Sequence, residues 1–197
     1  MLKVLVVGGL ILLGFTRTAH AEWHFAPMAG LTMLGNTSLV DLEDATRRRH
    51  PNFGFSVSLL SSGIIGAEVL TVWTPRFFEH GDGDLVKGSR TIVGMANVVL
   101  TAPRRWTEYS LRPFVSGGFG LMHASALDNQ GFFPIDVNVA GFNIGGGAVG
   151  FLSDRTGLRF DFRYHSTLNR SGDAPSIPIG PVHLRYATAS IGLVFRR

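Results

Sequence analysis

The sequence of 197 residues predicts an all-β protein, an eight-stranded antiparallel up-and-down transmembrane β-barrel that follows a cleaved N-terminal signal peptide. Three observations lead to this fold class. The N-terminus has the pattern of an export signal, the rest of the chain alternates apolar and polar residues over stretches of about ten residues, and long connections alternate with short ones. They predict a signal peptide at residues 1–21 and one barrel domain at residues 22–197.

The composition favours a barrel over a disordered or helical chain. Hydrophobic residues make up 45% of the sequence and charged residues 16%, and there are 25 glycines and 15 phenylalanines. Such a chain is too apolar to be disordered and too rich in glycine to be helical. Because it contains no cysteine, an exported domain of this kind must be held together by other means, such as a closed ring of backbone hydrogen bonds.

The first 21 residues have the three parts of a secretory signal peptide. Lys3 supplies the positive charge, Val4 to Phe15 form a short apolar segment, and Ala19-His20-Ala21 is a small-residue cleavage site. A membrane-spanning helix needs about 18 or more apolar residues, and this run is shorter. Cleavage before Glu22 would lower the formal net charge from +4 to +2, and without a basic stripe no nucleic-acid partner is expected.

Two segments alternate cleanly, as expected of strands that face lipid on one side and a polar interior on the other. In Asn52 to Leu60 the odd-numbered residues are apolar, and in Leu158 to His165 leucine and aromatic residues alternate with arginine, aspartate and histidine. Six further strands are expected at Trp23 to Leu34, Ile64 to Thr74, Arg90 to Thr101, Ser110 to Ala124, Asn138 to Leu152 and Val182 to Phe195.

The predicted connections fall into two classes that alternate along the chain. In an up-and-down barrel with an even number of strands, long loops lie outside the cell, and short turns and both termini lie in the periplasm. The alternation therefore predicts a bacterial outer-membrane location. The long connections are residues 35–51, 75–89, 125–137 and 169–181, and the short ones are 61–63, 102–109 and 153–156.

The final predicted strand bears on assembly and on partners. Ile191, Leu193 and Phe195 share one face, which is similar to the C-terminal signal that outer-membrane barrels present to the barrel-insertion machinery. Here two arginines follow the phenylalanine, where the usual signal ends on an aromatic residue. The expected partners are this machinery, outer-membrane lipid and lipopolysaccharide, the last through charged loops at 42–49 and 77–84.

Three segments resemble the outer-membrane β-barrel family that includes the small OmpA/OmpX-type barrels. They are Leu111 to Gly120, Phe142 to Gly147 and Gly157 to Tyr164, which are similar to the family patterns RPYxxxGxG, NxGxG and GLRxDxRY in the same order. The likeness covers the C-terminal half; the N-terminal half resembles the family in strand pattern and loop order. The resemblance implies a monomeric, non-enzymatic barrel with a role in envelope integrity, surface interaction or limited small-solute permeability.

The polar strand faces predict a packed lumen, because eight strands leave a bore only wide enough for side chains. Ionised groups in that space must pair or keep water. The expected ion-pair cluster is either a stabilising plug or a gate whose pairs rearrange to pass small ions, as proposed for the barrels that the chain resembles. The candidate members are Glu68, Arg112, Arg159, Asp161 and Arg163, and the inward glycines expected to make space for long side chains are Gly66, Gly118, Gly120, Gly145 and Gly147.

Two other functions stay open as alternatives. One is a lipid A deacylase of the PagL type, a barrel enzyme that uses a histidine and a serine on one late strand; here His165 and Ser166 are adjacent, which places them on opposite faces. The other is a periplasmic lipocalin-like binding barrel. No metal-ligand spacing is present, and Gly145 to Gly150 matches GxGxxG without a following helix, so no cofactor is expected.

Overall fold

The computed structural model describes residues 21–37, 49–61, 63–77, 86–103, 107, 111–128, 135–168 and 184–197. Residues 1–20, which hold most of the expected signal peptide, lie outside this description. None of the described residues belongs to a helix that is long and apolar enough to cross a membrane. The strands are β1 Glu22–Thr37, β2 His50–Leu60, β3 Ile65–Pro75, β4 Val86–Thr101, β5 Arg112–Asp128, β6 Ile135–Phe151, β7 Thr156–Thr167 and β8 Leu184–Arg196.

The strands form one closed antiparallel barrel. Each strand pairs with the next along the chain, and β1 pairs with β8 to complete the ring. At the seam the backbone N–H of Trp23 donates to the carbonyl of Arg197 over 3.1 Å, and the N–H of Arg197 donates back over 2.9 Å. Closure leaves no sheet edge, which a barrel inside lipid requires because lipid cannot satisfy backbone polar groups. The predicted eight-stranded antiparallel barrel is confirmed.

Side chains alternate between the lumen and the outer surface, and the two environments are inverted relative to a soluble barrel. On β2 the side chains of Phe53 and Phe55 are about half exposed on the outside, whereas Ser56 and Ser58 are buried inside. The other strands repeat this pattern, and large apolar side chains cover the outer surface. An apolar exterior around a partly charged interior fits lipid, and it is the opposite of what the lipocalin-like alternative requires.

One expectation about the connections is wrong. β5 continues to Asp128 and β6 begins at Ile135, so the link between them, 129–134, is shorter than the link 102–111 on the other side of the barrel. The reason is that residues 125–128 and 135–137, predicted as loop, continue the antiparallel ladder, with Ser125 opposite Asp136. The links 76–85 and 102–111 are equal in length, so the predicted order of long and short holds for the links 38–49, 61–64, 152–155 and 168–183.

Candidate functional site

Four charged side chains meet in the middle of the lumen. Arg159, Asp161 and Arg163 are alternate residues of β7, so all three point to the same side of the strand. Glu68 lies on β3, across the barrel from β7 in strand order. We call Glu68, Arg159, Asp161 and Arg163 the lumen cluster. It ties opposite walls of the barrel together.

Each carboxylate of the lumen cluster contacts both arginines. Glu68 Oε2 lies 2.6 Å from Arg159 Nη2, and Glu68 Oε1 lies 2.6 Å from Arg163 Nη2. Asp161 Oδ2 accepts from Arg159 Nη2 over 2.6 Å, and Asp161 Oδ1 accepts from Arg163 Nε over 2.6 Å. The four side chains are at most 5% exposed. Two positive and two negative charges thus cancel inside the barrel.

Neutral polar groups complete the hydrogen bonding of Glu68 on the remaining sides. Ser58 Oγ donates to Glu68 Oε2 over 3.2 Å, and Asn97 Nδ2 donates to Glu68 Oε1 over 3.1 Å. Asn143 Nδ2 in turn donates to Asn97 Oδ1 over 2.7 Å. Buried carboxylates keep their charge at tolerable cost only when such bonds accompany the ion pairs.

Arg159 has further neighbours in the lumen. Its Nη1 donates to Ser56 Oγ over 3.2 Å. Its guanidinium carbon lies 4.5 Å from the centre of the Phe114 ring, within the range of a cation–π contact. The arginine is therefore held by charge, hydrogen bond and packing together.

Arg112, the fifth predicted member, does not join the lumen cluster. Its guanidinium lies at the end of the barrel that carries both chain termini, where Nε donates to the Ala102 carbonyl over 2.9 Å and Nη2 donates to the carbonyls of Ser61 and Gly63 over 3.1 Å each. It also donates to Thr101 Oγ1 over 2.6 Å. Because Arg112 is the first residue of β5, turn carbonyls lie within its reach. Through these hydrogen bonds Arg112 links the connection after β2 to the connection after β4.

Gly145 makes room for a long charged side chain, as predicted, whereas Gly66 and Gly120 adjoin Leu60 and the backbone of β4. A Cβ placed on Gly145 would lie 2.5 Å from Arg163 Cγ and would also meet the backbone oxygen of Phe162. A Cβ on Gly118 would lie 2.5 Å from Asn97 Oδ1. Arg163 of β7 therefore packs against the glycine-rich stretch of β6.

A second polar network, which the sequence analysis did not identify, lies nearer the outer end. Asn52 Nδ2 donates to Thr32 Oγ1 over 3.1 Å, and the hydroxyls of Thr32 and Thr74 are 3.0 Å apart. Ser190 Oγ donates to Asn52 Oδ1 over 3.1 Å. The signal was present, since these residues occupy inward positions of β1, β2, β3 and β8, but uncharged side chains gave no reason to single them out.

The outer half of the lumen also carries an apolar layer on the β3 to β5 side. Glu68 of β3 lies opposite Asn97 of β4. On each of these strands the next two inward residues toward the outer end are buried and apolar. Two inward residues of β5 lie beside them and extend the layer. These side chains pack above the lumen cluster on this side of the lumen. They are Leu70, Val72, Val93, Met95, Met122 and Ala124.

The lumen is packed in the part that the structure describes. A cavity of about 10 Å³ lies toward the end of the barrel that carries both chain termini, lined by His24, Arg112 and Arg159 together with apolar side chains. That volume holds about one water molecule. The predicted packed barrel is confirmed for the described residues.

His165 lies inside the barrel and is fully buried. Its ring stacks on Tyr186 with 5.0 Å between the centres, and neither ring nitrogen has a hydrogen-bond partner among the described residues. Ser166 Oγ donates instead to the carbonyl of Thr167 over 3.4 Å. The described residues thus do not assemble the histidine and serine into a hydrolytic pair. Nor do they contain a group of three or more His, Cys, Asp or Glu side chains that could hold a metal ion.

A closed eight-stranded barrel with an apolar exterior and a charged, packed lumen has the fold of the small outer-membrane barrels. Three solved structures illustrate the likeness. Neisserial surface protein A aligns with a TM-score of 0.59 at 12% identity, over 88% of this chain and 96% of that one. A major outer membrane protein from Thermus thermophilus aligns with a TM-score of 0.57 at 10% identity, over 90% and 99%.

The third is Ail, the attachment invasion locus protein of Yersinia pestis, solved in complex with the heparin analogue sucrose octasulfate. It aligns with a TM-score of 0.54 at 14% identity, over 90% of this chain and 99% of Ail. No family model and no curated protein matches the sequence. At these identities the likeness defines the fold.

Proposed function

We propose that this protein is a non-enzymatic barrel of the bacterial outer membrane whose closed lumen lets it strengthen the envelope and present surface loops without forming an open pore. The observation that carries the proposal is the lumen cluster, in which four buried charges neutralise one another across the barrel. The outer-membrane barrels of the same fold support the location.

The closed state follows from the energetics of the lumen. A passing ion would have to separate arginine–carboxylate pairs that are at most 5% exposed, and on the β3 to β5 side it would also have to cross the apolar layer without its water. Either step leaves a charge uncompensated in a medium of low dielectric constant. A lumen of this kind is suited to a structural role.

The test is a current recording in planar lipid bilayers. Wild-type protein should insert without producing discrete current steps, and Asp154→Asn, a change in an exposed periplasmic turn, should behave in the same way. Glu68→Ala should produce a steady small conductance, because the arginines lose a shared partner and water enters. Discrete steps from the wild-type protein would overturn the closed-lumen proposal.

The second candidate is a gate, and the shared arginines favour it. Each arginine contacts both carboxylates, so exchange of partners within the lumen cluster needs only small side-chain movements. A gate predicts voltage-dependent opening and closing of the wild-type protein and altered step size in Glu68→Ala. If both proteins give the same trace, the lumen cluster does not control permeation.

The role in the envelope is tested in cells. Deletion of the gene should increase sensitivity to detergents, and wild-type protein should restore resistance. The acyl content of lipid A, measured by mass spectrometry, should be the same with and without the protein. Loss of an acyl chain on overexpression would replace the structural role with the deacylase alternative.

A further inference from the structure

Three outward-facing rows end in arginine at the extracellular side. The row on β2 begins at the periplasmic end with Leu59 and reaches Arg49, which directly precedes the strand. The row on β4 runs from Leu100 to Arg90, and the row on β8 runs from Phe195 to Arg185. Each row spans about ten residues, the length that a tilted strand needs to cross a membrane. The arginines therefore lie at the outer boundary of the apolar band.

These arginines share one half of the barrel. In the closed ring β8 neighbours β1, and β1 to β4 follow in order, so the five strands from β8 to β4 are contiguous. We call Arg49, Arg90 and Arg185 the arginine arc. A fourth arginine, Arg76, is exposed just after β3 at the same end.

The opposite half of this end has a different character. There His123 of β5 lies 3.0 Å from Asn138 and 3.5 Å from Asp136, both on β6. Among the described side chains, Asp136 is the outward carboxylate at the extracellular end, since Glu22 and Asp154 are periplasmic and the other acids are in the lumen. Positive charge is thus concentrated on the β8 to β4 side of the described barrel.

The arginine arc is available for a partner outside the barrel. All three residues are exposed, and none makes an ion pair with another described residue. Ala187, the next outward position below Arg185, is only 3% exposed, and Gly94 lies two outward positions below Arg90. A Cβ on Gly94 would have no atom within 4 Å. On each row the arginine is followed, toward the other end of the strand, by apolar residues that form a strip below it.

We propose that the arginine arc binds the phosphate groups of lipid A, the phosphorylated glycolipid of the outer leaflet, whose acyl chains lie on the strips below. The guanidinium group matches a phosphate with two parallel hydrogen bonds, and its apolar stem can lie along the acyl chains. The position of the arc at the extracellular edge selects the outer-leaflet lipid over the phospholipid of the inner leaflet. This inference depends on the proposed outer-membrane location and not on the closed lumen.

The test measures stabilisation of the purified, folded barrel in an uncharged detergent. Lipid A carrying both phosphates is titrated in, and the temperature of unfolding is followed by gel migration. Wild-type protein should be stabilised by bisphosphorylated lipid A, and much less by dephosphorylated lipid A or by phosphatidylglycerol. Arg49→Gln/Arg90→Gln/Arg185→Gln should need about tenfold more lipid A for half-maximal stabilisation, as expected for the loss of three exposed charge pairs.

The matched control is Arg155→Gln/Arg197→Gln, which removes two exposed arginines at the periplasmic end and should leave the titration unchanged. If the triple variant does not refold, the single variant Arg90→Gln should raise the half-maximal concentration by about twofold to threefold. Unchanged titration in the arc variants, or equal stabilisation by dephosphorylated lipid A or by phosphatidylglycerol, would overturn the proposal. The bilayer currents of the arc variants should equal those of the wild type, so this result is separable from the closed lumen.

Discussion

At the scale of single residues, Glu68 has the most demanding position in the barrel. Its side chain is fully buried, and its two oxygens accept from Arg159 and Arg163 across the lumen and from Ser58 and Asn97 beside it. Burial alone would disfavour a charged carboxylate strongly, and these donors offset that cost. If the charge of Glu68 is removed, the fold is destabilised, because the two buried arginines of the lumen cluster then share Asp161 as their carboxylate partner.

Glu68→Gln is therefore expected to lower the free energy of unfolding by about 3–5 kcal/mol, the usual effect of breaking a buried ion pair from one side. The measurement is urea unfolding of the barrel in lipid vesicles. Asp154→Asn, an exposed change that also removes one negative charge, should stay within about 0.5 kcal/mol of the wild type.

A double variant separates charge pairing from loss of packing. Glu68→Gln/Arg163→Gln leaves Arg159 paired with Asp161 and removes one charge of each sign. It should be more stable than the sum of the two single changes implies, since residues in one network do not act independently. Additive losses, or a Glu68→Gln protein as stable as the wild type, would mean that the lumen cluster does not support the fold.

At the scale of elements, β6 and β7 form a complementary pair. β7 carries large charged side chains on its inward face, and β6 places Gly145 opposite Arg163 and Gly147 opposite Asp161. These glycines leave β6 with little packing of its own, and they allow the stem of Arg163 to lie against its backbone. These glycines lower the strand propensity of β6, but they leave space for the charged side chains of β7.

Gly145→Ala tests this arrangement. Its new Cβ would lie 2.5 Å from Arg163 Cγ and would meet the Phe162 carbonyl, so we expect a loss of about 1–3 kcal/mol, typical of overpacking. Gly94→Ala is the matched control on β4, where the added carbon faces open space. It should be neutral or stabilising by up to about 1 kcal/mol, because alanine loses less conformational freedom than glycine. Urea unfolding midpoints give both values, and equal midpoints would contradict the packing role of Gly145.

At the scale of the whole molecule, closure by β1 and β8 explains how a chain without cysteine holds its shape. All eight strands share one ring of backbone hydrogen bonds, and the lumen cluster ties β3 to β7 through its centre. Outside, the apolar rows fit lipid. Resistance to detergent at room temperature should follow, because no strand edge is exposed to start unfolding.

The expected result is heat-modifiable migration on a detergent gel after extraction from outer membranes. The unboiled barrel is compact and should run faster than the boiled chain. Recovery in the water-soluble periplasmic fraction, with no difference between boiled and unboiled samples, would contradict both the transmembrane barrel and the outer-membrane location. A cytosolic protein that runs identically in both conditions serves as the control for loading.

The sequence by itself determined the number of strands, the outward side of the strands that alternate cleanly, and the charged residues that enter the lumen. Alternation with period two is a local property, so residues such as Arg159, Asp161 and Arg163 could be assigned to one side without knowledge of their neighbours. The same reasoning placed Glu68 inside.

Only the tertiary structure decided which of these groups meet. Contacts across the lumen depend on the register of eight paired strands and on closure of the ring, and neither is encoded in a single segment. That is why Glu68 reaches β7, whereas Arg112, with the same inward orientation, is held by turn carbonyls at the end of the barrel that carries both chain termini. Closure also brings β8 beside β1, and this adjacency places Arg185 on the same half of the rim as Arg49 and Arg90.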